Sequence, residues 1–124
     1  MVKVAICAPA SPVTVDDVAA LRALVAAEFP EVELLVHDQC YRAAGHFAGD
    51  DATRLAAFLD CANDPSVDAV WFARGGYGSN RIAAAALGQL APAAGRKAYL
   101  GYSDMGYLLG ALYRHGVGRP VHAP

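Results

Sequence analysis

Four short apolar segments alternate with helix-like segments along the chain, and this alternation limits the fold more than any other feature. The apolar segments predict strands at Val2–Cys7, Val32–Val36, Asp68–Ala73 and Lys97–Tyr102. Strands that are joined through helices form right-handed βαβ units and therefore a parallel sheet. Because the strands are apolar almost throughout, helices should cover both faces of the sheet.

The segments between the strands carry the signals that start and stop helices. Thr14 and Asp17 have capping-box spacing before a helix that should end near Pro30. Further helices are predicted from Asp50 or Asp51 to Asn63-Asp64-Pro65, from about Asn80 to Leu90, and from about Met105 to His115, whereas His37–Gly49 is predicted as a loop and Val121 as the start of an element that the chain does not complete. The pattern predicts a three-layer α/β fold, flavodoxin-like or class I glutamine amidotransferase-like, over residues 1–124.

Composition narrows the function classes. The chain has 124 residues, 56% of them hydrophobic, which is enough for one domain with a real core. A net charge of −2 argues against a nucleic-acid surface, and no stretch reaches the ~20 apolar residues of a membrane span. Three separate cysteines without a CxxC pair favour a reducing cytoplasm and no zinc site or disulfide framework. We expect no metal and no cofactor.

Ligands of parallel sheets bind beyond the carboxyl ends of the strands. One unusual motif there is Gly101-Tyr102-Ser103-Asp104. A serine at a sharp strand-to-helix turn can be a nucleophile, and the next backbone N–H can stabilise an oxyanion. This is not the usual GxSxG motif, because Met105 takes the position of the second glycine. The alternative is that Ser103 simply caps the following helix.

The second motif is Arg74-Gly75-Gly76-Tyr77-Gly78, which we call the glycine loop. Its glycines allow positive φ and close backbone approach, so the loop could offer N–H groups to an oxyanion. A phosphate-binding loop and a plain tight turn are the alternatives, although GxGxxG and GxxxxGK[ST] are both absent. The four histidines lack metal-ligand spacing; they are His37, His46, His115 and His122. Any of them could serve as a base for Ser103. The alternatives are a helix-dipole contact for His115 and ordinary loop polarity for His37 and His46.

Five segments, in order, resemble the LD-carboxypeptidase family of serine peptidases, which includes muramoyltetrapeptide carboxypeptidases and microcin C immunity peptidases. They are Ile6–Val13, Phe47–Leu55, Asp64–Arg81, Lys97–Asp104 and Val121–Pro124. The most specific resembles "DPxxxAIxxxRGGYGxxR" and the fourth resembles "PKxxxGYSD". The last resembles "HGP", with Ala123 in place of glycine.

The resemblance implies an N-terminal α/β domain that carries the nucleophile, followed by a second domain that carries the catalytic Glu and His. It assigns Ser103 as the nucleophile, and the backbone N–H groups of Asp104 and Gly76 as the oxyanion hole. Arg74, Gly75 and Tyr77 are the candidate substrate-binding residues, with the alternative that Arg74 orients the loop instead of meeting a substrate carboxylate. The implied substrate is a murein-derived tetrapeptide that loses its terminal D-alanine during cell-wall recycling, and family members often form homodimers.

The sequence departs from the family in two places. No residue corresponds to the catalytic Glu or His, and His122 is not assigned that role. Gly106 stands where family members usually have threonine. Two functions therefore remain open: a peptidase whose C-terminal Glu/His domain is absent here, so that this half alone has little activity, or an inactive module that binds a peptide or another ligand.

Overall fold

A parallel sheet of five strands forms the centre of the computed structural model, which describes residues 1–123. The strands are β1 (Val2–Cys7), β2 (Val32–Val36), β3 (Ala69–Phe72), β4 (Ala98–Gly101) and β5 (Arg119–His122). They lie in the order β2-β1-β3-β4-β5, and every neighbouring pair is parallel. This is the flavodoxin-like order, in which the direction of chain progress reverses between β1 and β3. The predicted fold class is confirmed.

Helices cover both faces of the sheet. The α-helices are α1 (Val15–Glu28), α2 (Asp51–Asn63), α3 (Ser79–Leu87) and α4 (Gly106–Arg114), and 3₁₀ turns span Asp38–Tyr41, Pro92–Arg96 and Ser103–Met105. Alternate strand residues point to opposite faces. Cys7 and Phe72 join a core with α2, α3 and α4, whereas Ile6 and Trp71 join a smaller cluster with Leu21 of α1.

The capping box at the start of α1 forms as predicted. The Asp17 backbone N–H donates to Thr14 Oγ1 at 3.1 Å, and the Thr14 N–H donates to Asp17 Oδ2 at 3.3 Å. These bonds satisfy backbone groups that the first helical turn leaves without partners.

Replacing Thr14 by alanine should therefore lower the free energy of unfolding by about 1 kcal/mol, because the helix loses its cap. Urea unfolding followed by circular dichroism measures the change. The Thr14→Ser variant keeps the hydroxyl and should stay close to the starting stability. Equal stability of the alanine and serine variants would contradict the assignment.

Two predictions differ from the structure, each for a local reason. The predicted loop His37–Gly49 contains a 3₁₀ turn, because His37 Nδ1 accepts a hydrogen bond from the Gln39 N–H at 3.1 Å. Helix α3 ends at Leu87 rather than at about Leu90, because Gly88 follows. Helix α4 agrees with its prediction to within one residue at each end, and a tighter turn that contains Met105 precedes it.

The chain end forms a strand that the sequence reading missed. Arg119–His122 pairs with β4 as an edge strand, where the missing N–H of Pro120 is tolerated. The expectation that Val121 begins an incomplete element is therefore wrong. Pro124, the last residue of the Val121–Pro124 segment, lies outside the described residues.

Candidate active site

Ser103 follows β4 at a sharp turn and is exposed. Its φ angle is 57°, and within residues 1–123 it is the single non-glycine residue with positive φ. Such a conformation costs roughly 1–3 kcal/mol, and strain of this kind concentrates at functional sites. The predicted sharp turn at Ser103 is confirmed, and its sparsely populated torsion is a further feature of the folded chain.

Gly101 makes this turn possible because a side chain at that position has no room. A Cβ atom on Gly101 would lie 2.9 Å from both the Met105 Cβ and the Phe72 Cδ2. Met105 is fully buried and takes the position where a GxSxG elbow has its second glycine. The turn therefore has the strand-to-helix course of a nucleophile elbow, with different packing on its helical side.

The glycine loop follows β3, the neighbour of β4, and lies against Ser103. A Cβ atom on Gly75 would be 2.9 Å from the Ser103 Cβ and 3.3 Å from its Oγ. Gly76 has φ 127°, and a Cβ atom there would be 2.1 Å from the Oγ of Ser11 on the loop after β1. Ser103 and the glycine loop therefore lie side by side at the carboxyl edge of the sheet. The loops after β1, β3 and β4 meet at this point.

Two buried hydrogen bonds tie the glycine loop to the serine turn. The Ser79 N–H donates to Asp104 Oδ2 at 2.9 Å, and Ser79 Oγ donates to the Asp104 carbonyl at 2.7 Å. The Asp104 carboxylate thus occupies the N-terminus of α3, whose own N-cap is Gly78. A phosphate at this helix end would face that carboxylate, which disfavours the phosphate-loop alternative.

Arg74 and Tyr77 extend from the glycine loop into solvent. Arg74 reaches the Pro12 carbonyl at only 3.5 Å and makes no salt bridge with any described residue. Tyr77 is 48% exposed, and its ring centroid lies 6.0 Å from that of Phe47. Both side chains therefore have surface available to a ligand beside Ser103.

Two buried polar side chains organise this edge and were not singled out as site residues from the sequence. Gln39 accepts a hydrogen bond from the Ala8 N–H at 3.0 Å, and its amide donates to the carbonyls of Ala8 and Ala48 at 2.7 and 2.6 Å. Arg54 donates to backbone carbonyls of three loops. Burial lowers the pKa of Arg54, and the Asp51 carboxylate opposes that shift. No local sequence pattern marks either side chain, because Gln39 bonds residues 31 and 9 positions away and Arg54 bonds residues up to 45 positions away.

The histidines lie apart from one another. His37 bonds Asp60 at 2.9 Å, His46 stacks on Phe47 with centroids 4.2 Å apart, and His115 ends α4. His122 pairs with Gly101 across the sheet and is exposed. No hydrogen bond joins any of the four to Ser103 in the part of the chain that the structure describes.

The chain offers little for metal binding. Among residues 1–123, no group of three His, Cys, Asp or Glu side chains is arranged to hold an ion. The three cysteines are free and buried, and desolvation by burial raises the pKa of the Cys40 thiol to about 12, so this thiol resists ionisation. In the same described region, no helix combines the length and the apolar character that a bilayer crossing requires.

Comparisons with known proteins agree with this fold. A murein tetrapeptide carboxypeptidase of Pseudomonas aeruginosa is 32% identical over 98% of this chain and 39% of its own length. The crystal structure of muramoyltetrapeptide carboxypeptidase from Oxalobacter formigenes superposes with a TM-score of 0.81 at 26% identity, over 98% of this chain and 40% of the other. An MccF-like protein from Bacillus anthracis shares the fold, with a TM-score of 0.72 at 19% identity, over 94% and 36% of the two chains.

The chain thus spans about two fifths of the length of these relatives. Residues 4–123 match the Peptidase_S66 family, described as the LD-carboxypeptidase N-terminal domain. This match covers nearly the whole chain and includes both the serine turn and the glycine loop. The chain therefore belongs to the LD-carboxypeptidase family and corresponds to its N-terminal domain.

Proposed function

We propose that this chain is the nucleophile-bearing half of an LD-carboxypeptidase that releases the terminal D-alanine of a murein tetrapeptide. The observation that supports the proposal most directly is the strained turn at Ser103, which packs against the glycine loop. A Cβ atom placed on Gly75 would lie only 3.3 Å from the Ser103 Oγ. The named activity of the Pseudomonas and Oxalobacter relatives supports the substrate class.

In this mechanism Ser103 Oγ attacks the carbonyl carbon of the L,D-peptide bond while a base takes its proton. The resulting oxyanion accepts hydrogen bonds from the backbone N–H groups of Asp104 and Gly76. The C–N bond then breaks, the D-alanine amine receives the proton, and water hydrolyses the acyl-serine ester. Both proposed donors belong to loops that the Ser79–Asp104 hydrogen bonds hold together.

Substrate contacts come from the glycine loop. Gly75 leaves the space beside Ser103 open, because any side chain there would meet the Ser103 Cβ at 2.9 Å. We assign Arg74 to the terminal carboxylate of the peptide, since its guanidinium has no carboxylate partner among the described residues and suits bidentate binding. Tyr77 offers an exposed ring to the peptide chain.

The base and its orienting carboxylate, the Glu and His of the family, would belong to a second domain that follows residue 124. Apolar side chains are exposed near the carboxyl edge of the sheet, which is expected if another domain packs against this edge. They are Tyr77, Tyr102 and Val121. Alternatively, a second copy of this chain could cover these side chains in a homodimer. The free, buried cysteines fit a cytoplasmic enzyme.

The test compares the 124-residue protein with a longer polypeptide, in which the second domain of the family follows residue 124, in an assay of D-alanine release from an L,D-tetrapeptide. Without a positioned base, the 124-residue protein should be at least about 10³-fold slower, because serine is a weak nucleophile at neutral pH. Equal rates would make one of the four local histidines the base. An inactive longer polypeptide that still binds the tetrapeptide would instead support an inactive peptide-binding module.

A further inference from the structure

Arg54 is a cation without solvent contact at the functional edge of the sheet. It lies on α2, and none of its surface is exposed. A buried charge is costly unless it is paired and fully hydrogen bonded. Its Nη2 forms an ion pair with the partly exposed Asp51, and its Cζ lies 4.8 Å from the Phe47 ring centroid. The guanidinium is therefore satisfied by the protein itself and is closed to substrate.

The other two nitrogens of Arg54 both donate to loop carbonyls at one sheet edge. Nε donates to the Gly49 carbonyl at 3.2 Å. Nη1 donates to the Pro9 carbonyl at 2.7 Å and to the Gly78 carbonyl at 2.9 Å. A single nitrogen thus bridges the loops that follow β1 and β3, at the point where the strand order reverses.

The Arg54 bridge lies directly against the glycine loop, at Gly78. Gly78 has φ 129°, and a Cβ atom there would be 2.9 Å from Arg54 Nη1, so the loop closes directly onto the guanidinium. Ser11 lies two residues after Pro9, Gly76 lies two residues before Gly78, and these two residues contact each other. The residue after Gly78 is Ser79, which bonds Asp104 at the serine turn. Movement of the Gly78 carbonyl would therefore shift the glycine loop and, through Ser79, the turn that carries Ser103.

We propose that Arg54 is the positioning residue of this site: its guanidinium, bound to the Pro9 and Gly78 carbonyls, holds the glycine loop against the Ser103 turn. The inference deepens the proposed function, and it concerns the local arrangement of the site rather than the identity of the substrate. Arg54 acts only through backbone, so it touches no reacting atom.

Lys97 supplies a matched control at the other end of the sheet. It too is buried, at 2% exposure, and its ammonium group donates to the carbonyls of Val67 and Asp64. Both carbonyls lie between α2 and β3, at the amino edge of the sheet, far from the loops around Ser103. Loss of either buried cation should destabilise the fold, but only loss of Arg54 should alter the site.

The test uses Ser103→Cys in the 124-residue protein and follows alkylation of Cys at that position by iodoacetamide across pH, with mass spectrometry to locate the label. The thiolate is the reactive form, and aligned backbone N–H groups lower the pKa of a thiol. The natural cysteines are at most 5% exposed, which keeps background labelling low.

Adding Arg54→Met should slow alkylation at pH 7 by about five- to tenfold and raise the apparent pKa of the thiol, because the loop N–H groups move away. Arg54→Lys should recover the fold and only part of the reactivity, since one ammonium cannot match the fixed fork of the guanidinium. Lys97→Met should change alkylation by less than about twofold. Circular dichroism and urea unfolding show which variants are folded.

Unchanged alkylation in a folded Arg54→Met or Arg54→Lys variant would overturn the proposal, as would an equal effect of Lys97→Met. If Arg54→Met does not fold, Arg54→Lys and Arg54→Gln decide the matter by the same comparison. The readout needs no peptidase activity, so a failure here is distinguishable from a failure of the proposed function, which D-alanine release reports.

Discussion

Replacing Ser103 by alanine in the longer polypeptide is expected to lower the kcat for D-alanine release by about 10⁴- to 10⁶-fold, the range seen when a serine peptidase loses its nucleophile. The alanine side chain keeps the Cβ atom of Ser103, which lies against Gly75, so the site should keep its shape. Binding of the tetrapeptide should therefore persist while hydrolysis is lost. Steady-state kinetics measure the loss of hydrolysis, and titration calorimetry with the uncleaved tetrapeptide measures binding.

Ser66→Ala is the matched control, because Ser66 lies at the amino edge, where its Oγ bonds only Asp64 at 2.7 Å among the described residues. It should leave kcat within about twofold. A Ser103→Ala variant that retains a tenth of the activity would show that Ser103 is not the nucleophile. Loss of tetrapeptide binding in the same variant would show instead that the hydroxyl serves in recognition.

A companion substitution, Ser103→Gly, separates function from stability. Glycine adopts φ 57° without steric penalty. The free energy of unfolding of this inactive variant should therefore rise by up to about 1 kcal/mol, which urea unfolding measures. A gain in stability at the cost of activity is the expected signature of strain kept for function. Because glycine also adds freedom to the unfolded chain, a stability loss of about 1 kcal/mol or more would mean that the torsion is not strained.

Local sequence patterns were sufficient to predict the strands and most helices, because those elements follow from short-range signals. The apolar run of β1 and the capping box of Thr14 and Asp17 are examples. Strand β5 was missed because Arg119 and Pro120 lack strand propensity. It forms because β4 offers a free edge, to which the Arg119 and Ala123 N–H groups donate.

The site was only partly predictable for a related reason. Ser103 and the glycine loop stand at strand ends, where the alternation of elements already places ligand sites. Arg54 was assigned no role, since its acceptors at Pro9 and Gly78 are 45 and 24 residues away along the chain. The Ser79–Asp104 bonds likewise depend on two loops that only the folded sheet brings together.

Replacing Gly76 by alanine should have the second largest effect, because two features of the loop oppose a side chain at that position. The φ angle of 127° lies where residues with a Cβ atom are strained, and the new Cβ would be 2.1 Å from Ser11 Oγ. The loop must therefore change its path. If its N–H group is an oxyanion donor, kcat should fall by about 10²- to 10³-fold with little change in KM.

The double variant Ser11→Ala, Gly76→Ala separates the two causes. It removes the hydroxyl at 2.1 Å but leaves the Ser11 Cβ position at 3.3 Å and the unfavourable φ. Because the torsion remains, we expect kcat of the double variant to stay at least about tenfold below that of the unmodified enzyme. Gly95→Ala is the control, since a Cβ there meets no atom within 4 Å and should leave kcat unchanged. A Gly76→Ala enzyme that is folded and fully active would remove Gly76 from the oxyanion hole and leave Asp104 as its assigned donor.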